Sequence, residues 1–229
     1  METHTGIYHV IVAAGSGSRF GGELPKQFCP LADGRPVLMT TIDNIRSSHT
    51  GEVILVLSHE MIEPWLKMCR VHHYTSPSIV TGGAIRWHSV KAAIDIIPNN
   101  AEIITVHDGA RPVVTPRIIN AVIETVRQGA DGAIPAVAVT DSLRHVNAEG
   151  HSSAVNRAEY RAVQTPQGFN ASKLKAAYSL PYRDTFTDDA SVMEAAGMDN
   201  LVLVDGETTN IKVTYPGDIA IADLFISRQ

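Results

Sequence analysis

Short β-branched runs that recur along the chain, separated by stretches of helical period, constrain the fold more than any other feature of the sequence. The runs 8-YHVIVAA-14, 53-VILVLS-58, 78-SIVT-81, 102-EIITVH-107 and 132-GAIPAV-137 read as strands. Their near-continuous apolarity implies burial on both faces. Between them, 85-IRWHSVKAAIDII-97 brings Val90, Ala93, Ile94 and Ile97 to one helical face. The stretch 116-PRIINAVIETVRQG-129 does the same with Ile119, Val122, Ile123 and Val126, and it is punctuated by Thr115 as N-cap, Pro116 at the first helical position and Gly129 past the end. Strands alternating with helices predict a mainly parallel sheet covered on both sides, a three-layer, Rossmann-like α/β domain. Further helices are expected near 171–181, at 188–196 and from Pro216, with strands at 201–204 and 210–214. No internal repeat or linker appears, so residues 1–229 are expected to form a single domain.

The polar segment 139–163 interrupts the alternation. Asn147-Ala148-Glu149-Gly150 reads as a turn between weakly alternating flanks, hence a β-hairpin arm protruding from the domain; a mobile surface loop is the alternative. An isolated two-stranded hairpin is marginal in water. A second copy of the chain is the simplest surface for it to lie on, which predicts a homodimer.

Composition excludes several function classes. A net charge of -5 argues against general binding to nucleic acid or an anionic membrane, so an anionic ligand must meet local cations. The two cysteines, Cys29 and Cys69, support neither a disulfide framework nor a metal knuckle. The ten histidines lack zinc spacing. With no basic leader and no run of bilayer length, a soluble cytoplasmic protein is expected.

Ligand chemistry concentrates in loops that follow strands, where open α/β sheets bind. In 13-AAGSGSRFGGELPKQF-28, Phe20 stands where a dinucleotide fingerprint needs its third glycine, and no Gly-Lys-Ser/Thr ends a P-loop. What remains is a bare loop able to wrap an anion with its N–H groups, carrying Arg19 and Lys26 as charges. The loops 82-GGAIRWHSV-90 and 107-HDGARP-112 belong to the same edge, the latter with a carboxylate beside a guanidinium. Lys212 lies in the apolar run 210-NIKVT-214, facing either water or a ligand. The acidic 187-TDDA-190 reads as a helix start, with Thr187 as N-cap and Asp188 and Asp189 complementing the dipole.

Together with Thr165-Pro166-Gln167, these motifs in this order resemble the 2-C-methyl-D-erythritol 4-phosphate cytidylyltransferases from about residue 7 onward. The resemblance implies joining of CTP and methylerythritol phosphate with release of pyrophosphate, Mg2+ being present. It assigns the triphosphate to Ala13, Ala14, Gly15, Gly17, Arg19 and Lys26. Gly83, Ala84 and Ser89 would meet the cytosine and ribose. Asp108, Gly109 and Arg111 would stand at the junction of nucleotide and sugar phosphate, Asp108 also assisting the metal directly or through water. Ser142, Arg157 and Thr165 would bind the acceptor, the first two reaching into the partner subunit's site, with Arg161 the alternative to Arg157, and Lys212 would face the reacting phosphates. Arg19, Lys26 and Lys212 would carry catalysis. The rival readings are a ribitol-5-phosphate cytidylyltransferase, a nucleotide-sugar pyrophosphorylase and a non-catalytic nucleotide-binding module.

Overall fold

The computed structural model describes residues 6–15, 20–21, 24–48 and 51–228. Its strands, in chain order, are β1 (Ile7–Val12), β2 (Glu52–Leu57), β3 (Ser78–Thr81), β4 (Ile103–Asp108), β5 (Gly132–Ala138), β6 (Arg144–Val146), β7 (Ser152–Ala154), β8 (Arg161–Val163), β9 (Gln167–Asn170) and β10 (Leu201–Asp205). The helices are α1 (Val37–Ser48), α2 (His59–Val71), α3 (Arg86–Ile96), α4 (Pro116–Arg127), α5 (Ala171–Ala177), α6 (Asp189–Ala195) and α7 (Asp218–Ile226).

The main sheet runs β10-β5-β9-β4-β1-β2-β3, with β8 added to β5. Pairings β4-β1, β1-β2, β2-β3 and β10-β5 are parallel, whereas β9 is antiparallel to both neighbours. The mainly parallel sheet expected from the sequence is therefore present, with β9 reversed inside it and β8 reversed against β5. One face buries Ile11, Leu55 and Ile103 beneath Ile42 of α1, Trp65 of α2 and Ile119 of α4. The other buries Val10, Val56 and Phe169 beneath Val90 of α3, Leu174 of α5 and Met193 of α6. These are the three layers. The chain winds outward from β1 to β2 and β3, then returns to place β4 on the other side of β1, so the crevice at the carboxyl ends of β1 and β4 is the topological switch point.

Several local readings need correction. Residues 210–214 form no strand; Asn210 and Val213 are buried and Val213 N–H donates to the Ala110 carbonyl at 2.8 Å, so their apolarity reflects packing on the β4 loop rather than pairing in a sheet. The last helix begins at Asp218, whose carboxylate accepts from Thr214 and Tyr215 N–H. The cap of α6 is Asp188, not Thr187, in a reciprocal capping box with Ser191. Helices α1 and α2 were not anticipated; α2 carries Pro64 in its interior, a residue that ordinarily ends a helical pattern.

The polar segment is a hairpin in which β6 pairs with β7 and, among the described residues, with no other strand. Its far end differs from expectation: β8 leaves the arm and joins β5. Among the described residues, no helix is long and apolar enough to cross a membrane.

Candidate active site

Because β1, β2, β3 and β4 are mutually parallel, the loops that follow them emerge at one edge. There they enclose a cleft of about 710 Å³. The loop after β1 contributes Ala13, Ala14 and Gly15, and a short 3-10 turn at Lys26–Phe28 adds Lys26. Gly83, Ala84 and Ser89 line it from the start of α3, Asp108 and Gly109 from the end of β4, and Lys212 from the C-terminal segment. Gly17 and Arg19 lie outside the described residues.

The glycine loop is held from two sides. Gln27, buried, donates its amide to the carbonyls of Ala13 at 2.7 Å and Gly15 at 3.1 Å. Phe20 packs on an apolar cluster that includes Val213 and Ala222 of α7. After β3, Gly82 passes so close to the loop that a Cβ there would lie 2.7 Å from Cβ of Ala14 and 2.8 Å from Oγ of Ser89. Only glycine lets the two loops approach in this way. Ser89 Oγ in turn accepts from Gly83 N–H at 3.2 Å, fixing the turn.

Asp108 is the electrostatic centre. Its Oδ2 lies 2.8 Å from Lys212 Nζ and 3.5 Å from Arg111 Nε, and its Oδ1 lies 3.9 Å from Arg86 Nε. Burial opposes ionisation of this carboxyl, but Lys212, Arg86 and Arg111 overcome it and hold its pKa well below the usual carboxylate range. Lys212 therefore faces the site rather than open water. Arg111 stands behind Asp108 and donates to the Asn210 carbonyl at 2.8 Å, which ties the C-terminal segment to the β4 loop.

Thr165 does not line the cleft. Its buried hydroxyl accepts from Asp108 N–H at 3.0 Å and donates to His107 Nδ1 at 3.0 Å, so it supports Asp108 from below. Ser142 and Arg157 are exposed on the arm, away from the lining of their own chain's cleft; Arg157 donates to the Thr140 carbonyl.

Two residues in the quoted motifs were given no role by sequence reasoning. Gln27 is one, and its signal was the polar residue directly following Lys26. Arg86 is the other: it lines the cleft and reaches from α3 to both Asp108 and Asp189. Its partner is distant in sequence, and only a motif reading that asked why an arginine opens the helix could have singled it out.

The family model of 2-C-methyl-D-erythritol 4-phosphate cytidylyltransferase matches residues 7–228. The chain is 41% identical over 219 residues to the protein of that name from Bacteroides thetaiotaomicron, covering 95% of this chain and 98% of the relative. It is equally 41% identical over 219 residues to that of Phocaeicola vulgatus, with the same coverage. Among solved structures, the Francisella tularensis 2-C-methyl-D-erythritol 4-phosphate cytidylyltransferase superposes with a TM-score of 0.77 at 27% identity, covering 96% of this chain and 99% of that one. A match over nearly the whole chain, to relatives matched over nearly their whole length, shows that this protein belongs to the 2-C-methyl-D-erythritol 4-phosphate cytidylyltransferase family.

Proposed function

We propose that this protein transfers the cytidylyl group of CTP to 2-C-methyl-D-erythritol 4-phosphate, giving 4-diphosphocytidyl-2-C-methyl-D-erythritol and pyrophosphate in isoprenoid precursor synthesis. The observation that carries the reading is the cleft at the switch point, bare of side chains along one wall and cationic around Asp108, in a chain of this family. The names of the relatives favour the methylerythritol acceptor over ribitol phosphate.

An acceptor phosphate monoester has a second pKa of about 6 and is largely a dianion near neutral pH, so its oxygen needs no general base. That oxygen attacks the α-phosphorus, forming one P–O bond while the bond to the bridging α,β-oxygen breaks and pyrophosphate leaves. The obstacle is charge on charge, and catalysis reduces to alignment and cationic stabilisation. Lys26 and Lys212, with Arg19, are the cations proposed for this work. Ala13, Ala14, Gly15 and Gly17 keep side chains away from the triphosphate, and Gly83, Ala84 and Ser89 receive the nucleoside. Asp108 keeps Lys212 and Arg111 in place.

Magnesium is part of the proposal, as a partner of the triphosphate. Asp108 does not fit a metal-ligand role, because both of its oxygens already face cations and a bound ion would have to displace Lys212. Among the described residues, no group of three His, Cys, Asp or Glu side chains converges to hold a metal. When present, the ion neutralises triphosphate charge. The proposed working form is a cytoplasmic homodimer, with Ser142 and Arg157 of the arm serving the partner's acceptor site.

The test is pyrophosphate release with CTP and Mg2+ against methylerythritol phosphate and ribitol 5-phosphate in turn, UTP replacing CTP as control. Turnover with CTP and methylerythritol phosphate is expected; turnover with ribitol 5-phosphate alone overturns the acceptor, and none with any pair overturns the transferase reading. Lys26→Ala or Lys212→Ala should lower turnover roughly 10²-fold, the scale of losing one charge-stabilising donor.

A further inference from the structure

The start of α6 is tied more firmly to the cleft than a helix cap requires. Asp189 is fully buried, yet it is ionic: Oδ2 accepts from Arg86 Nη2 at 2.6 Å and Oδ1 accepts from the Tyr178 hydroxyl at 2.6 Å. Tyr178 is itself locked, its ring stacked on Trp87 at 5.5 Å between centroids and 21° between planes. On either side of Asp189, the Gln167 amide holds the chain, donating to the Asp188 carboxylate oxygen Oδ2 at 2.8 Å and accepting from the backbone N–H of Ala190 at 3.2 Å. Asp189 therefore has little freedom to follow Arg86. It is Arg86 that must conform to Asp189.

The opposite end of this arrangement opens on the site. The Arg86 side chain keeps 32% of its exposure, lines the cleft, and presents Nε at 3.9 Å from Asp108 Oδ1. Burial by itself would disfavour the charged guanidinium, and Asp189 and Asp108 together raise its pKa above the ordinary arginine value. A guanidinium forms a stronger, forked pair with a carboxylate than an ammonium does. Left unrestrained, Arg86 would close on Asp108 and compete with Lys212, which now holds Asp108 at 2.8 Å.

We propose that Asp189 is a positioning residue for nucleotidyl transfer: it draws Arg86 away from Asp108, keeping Arg86 as a fixed cation on the cleft wall and leaving Asp108 to hold Lys212. The inference rests on the transferase reading above. A tether serving only to join α3 to α6 would have no need of an arginine that lines the cleft and touches Asp108.

The test compares steady-state kinetics and thermal unfolding of the wild-type protein, Arg86→Gln, Asp189→Asn, the double variant, and Tyr178→Phe, with CTP, Mg2+ and methylerythritol phosphate. Arg86→Gln and Asp189→Asn are each expected to lower kcat by about 10- to 100-fold, with KM for CTP changed less than about threefold. The double variant should fall no further than the worse single one, because both remove the same placed charge. Tyr178→Phe, which removes one hydrogen bond to Asp189 and leaves Arg86 intact, should lower kcat by about fivefold. It keeps the test decisive should Asp189→Asn fail to fold. Variants whose melting temperature falls while kcat stays within about twofold of wild type overturn the proposal, as do losses that multiply in the double variant. An inactive wild-type protein overturns the transferase reading and this inference with it, whereas an active wild type with uncoupled variants overturns this inference alone.

Discussion

His107 lies in the floor of the cleft with both ring nitrogens engaged. The Arg111 carbonyl can only accept, so Nε2 carries a proton and donates to it at 3.2 Å. Burial pushes the ring's pKa down to about 4 against the pull of Asp108, and in the neutral ring Nδ1 accepts at 3.0 Å from the Thr165 hydroxyl, whose oxygen itself accepts from Asp108 N–H. In the unfolded chain an ordinary histidine titrates near 6.5, so between that pH and about 4 the unfolded state binds a proton that the folded state refuses. Stability is therefore fully present above about pH 6.5 and declines as the pH falls toward 4. Between pH 7 and pH 5 this one group should cost about 2 kcal/mol, measured as the difference in urea unfolding between wild type and His107→Asn, which keeps a partner for Thr165. Equal losses in the two proteins over that range would remove His107 as the cause. Sequence reasoning singled out the carboxylate Asp108 and the guanidinium Arg111 in this loop and gave His107 no role, because the histidine's structural task depends on Thr165, fifty-eight positions away. The same holds for Lys212: its charge was legible as anomalous in an apolar run, while the carboxylate that receives it was not.

At the scale of elements, the chain was most legible where pattern and punctuation agree. Helix α4 begins at Pro116 with Thr115 capping Ile118 N–H, and it buries Ile119, Val122, Ile123 and Val126 as its periodicity requires. Reading failed where tertiary packing overrides local preference. The run 210–214 has the β-branched composition of a strand, but β10 occupies the sheet edge and the run is spent on the cleft instead. Strand β9 was invisible for another reason: it is four residues long and contains Gly168. That glycine is required by packing, since a Cβ would lie 2.3 Å from Cγ1 of Val122, a β-branched side chain fully buried on α4. Gly168→Ala should therefore destabilise the fold by about 1–3 kcal/mol by overpacking. Val122→Ala in the same chain should recover part of that loss, because it vacates the space. Chemical denaturation of the two single variants and the double variant measures this, and strictly additive losses would show that the strain lies elsewhere.

For the whole molecule, the arm is the part that its own chain supports least. Among the described residues, β6 and β7 pair with each other and with no third strand, and every residue of both is exposed. Two strands alone rarely hold in water. Val146, Tyr160 and Val163 are also exposed, at 59%, 45% and 46%, which leaves an apolar surface along the arm and its base. The proposed homodimer gives that surface a partner and brings Ser142 and Arg157 to a site they do not reach in their own chain. Replacing residues 144–154 with an Asn-Gly turn, which favours a tight hairpin reversal, removes the tip while leaving β5 and β8 paired. The shortened protein should keep the circular dichroism of the wild type, because none of the three apolar clusters includes a residue of the arm. Sedimentation equilibrium should report twice the chain mass for the wild type and one chain mass for the shortened form. KM for the acceptor should rise by more than about tenfold and KM for CTP should stay within about threefold, since the proposed nucleotide contacts belong to one chain and the proposed acceptor contacts to two. A wild-type protein that sediments as a monomer, or a shortened dimer with normal acceptor KM, would leave the arm without this role.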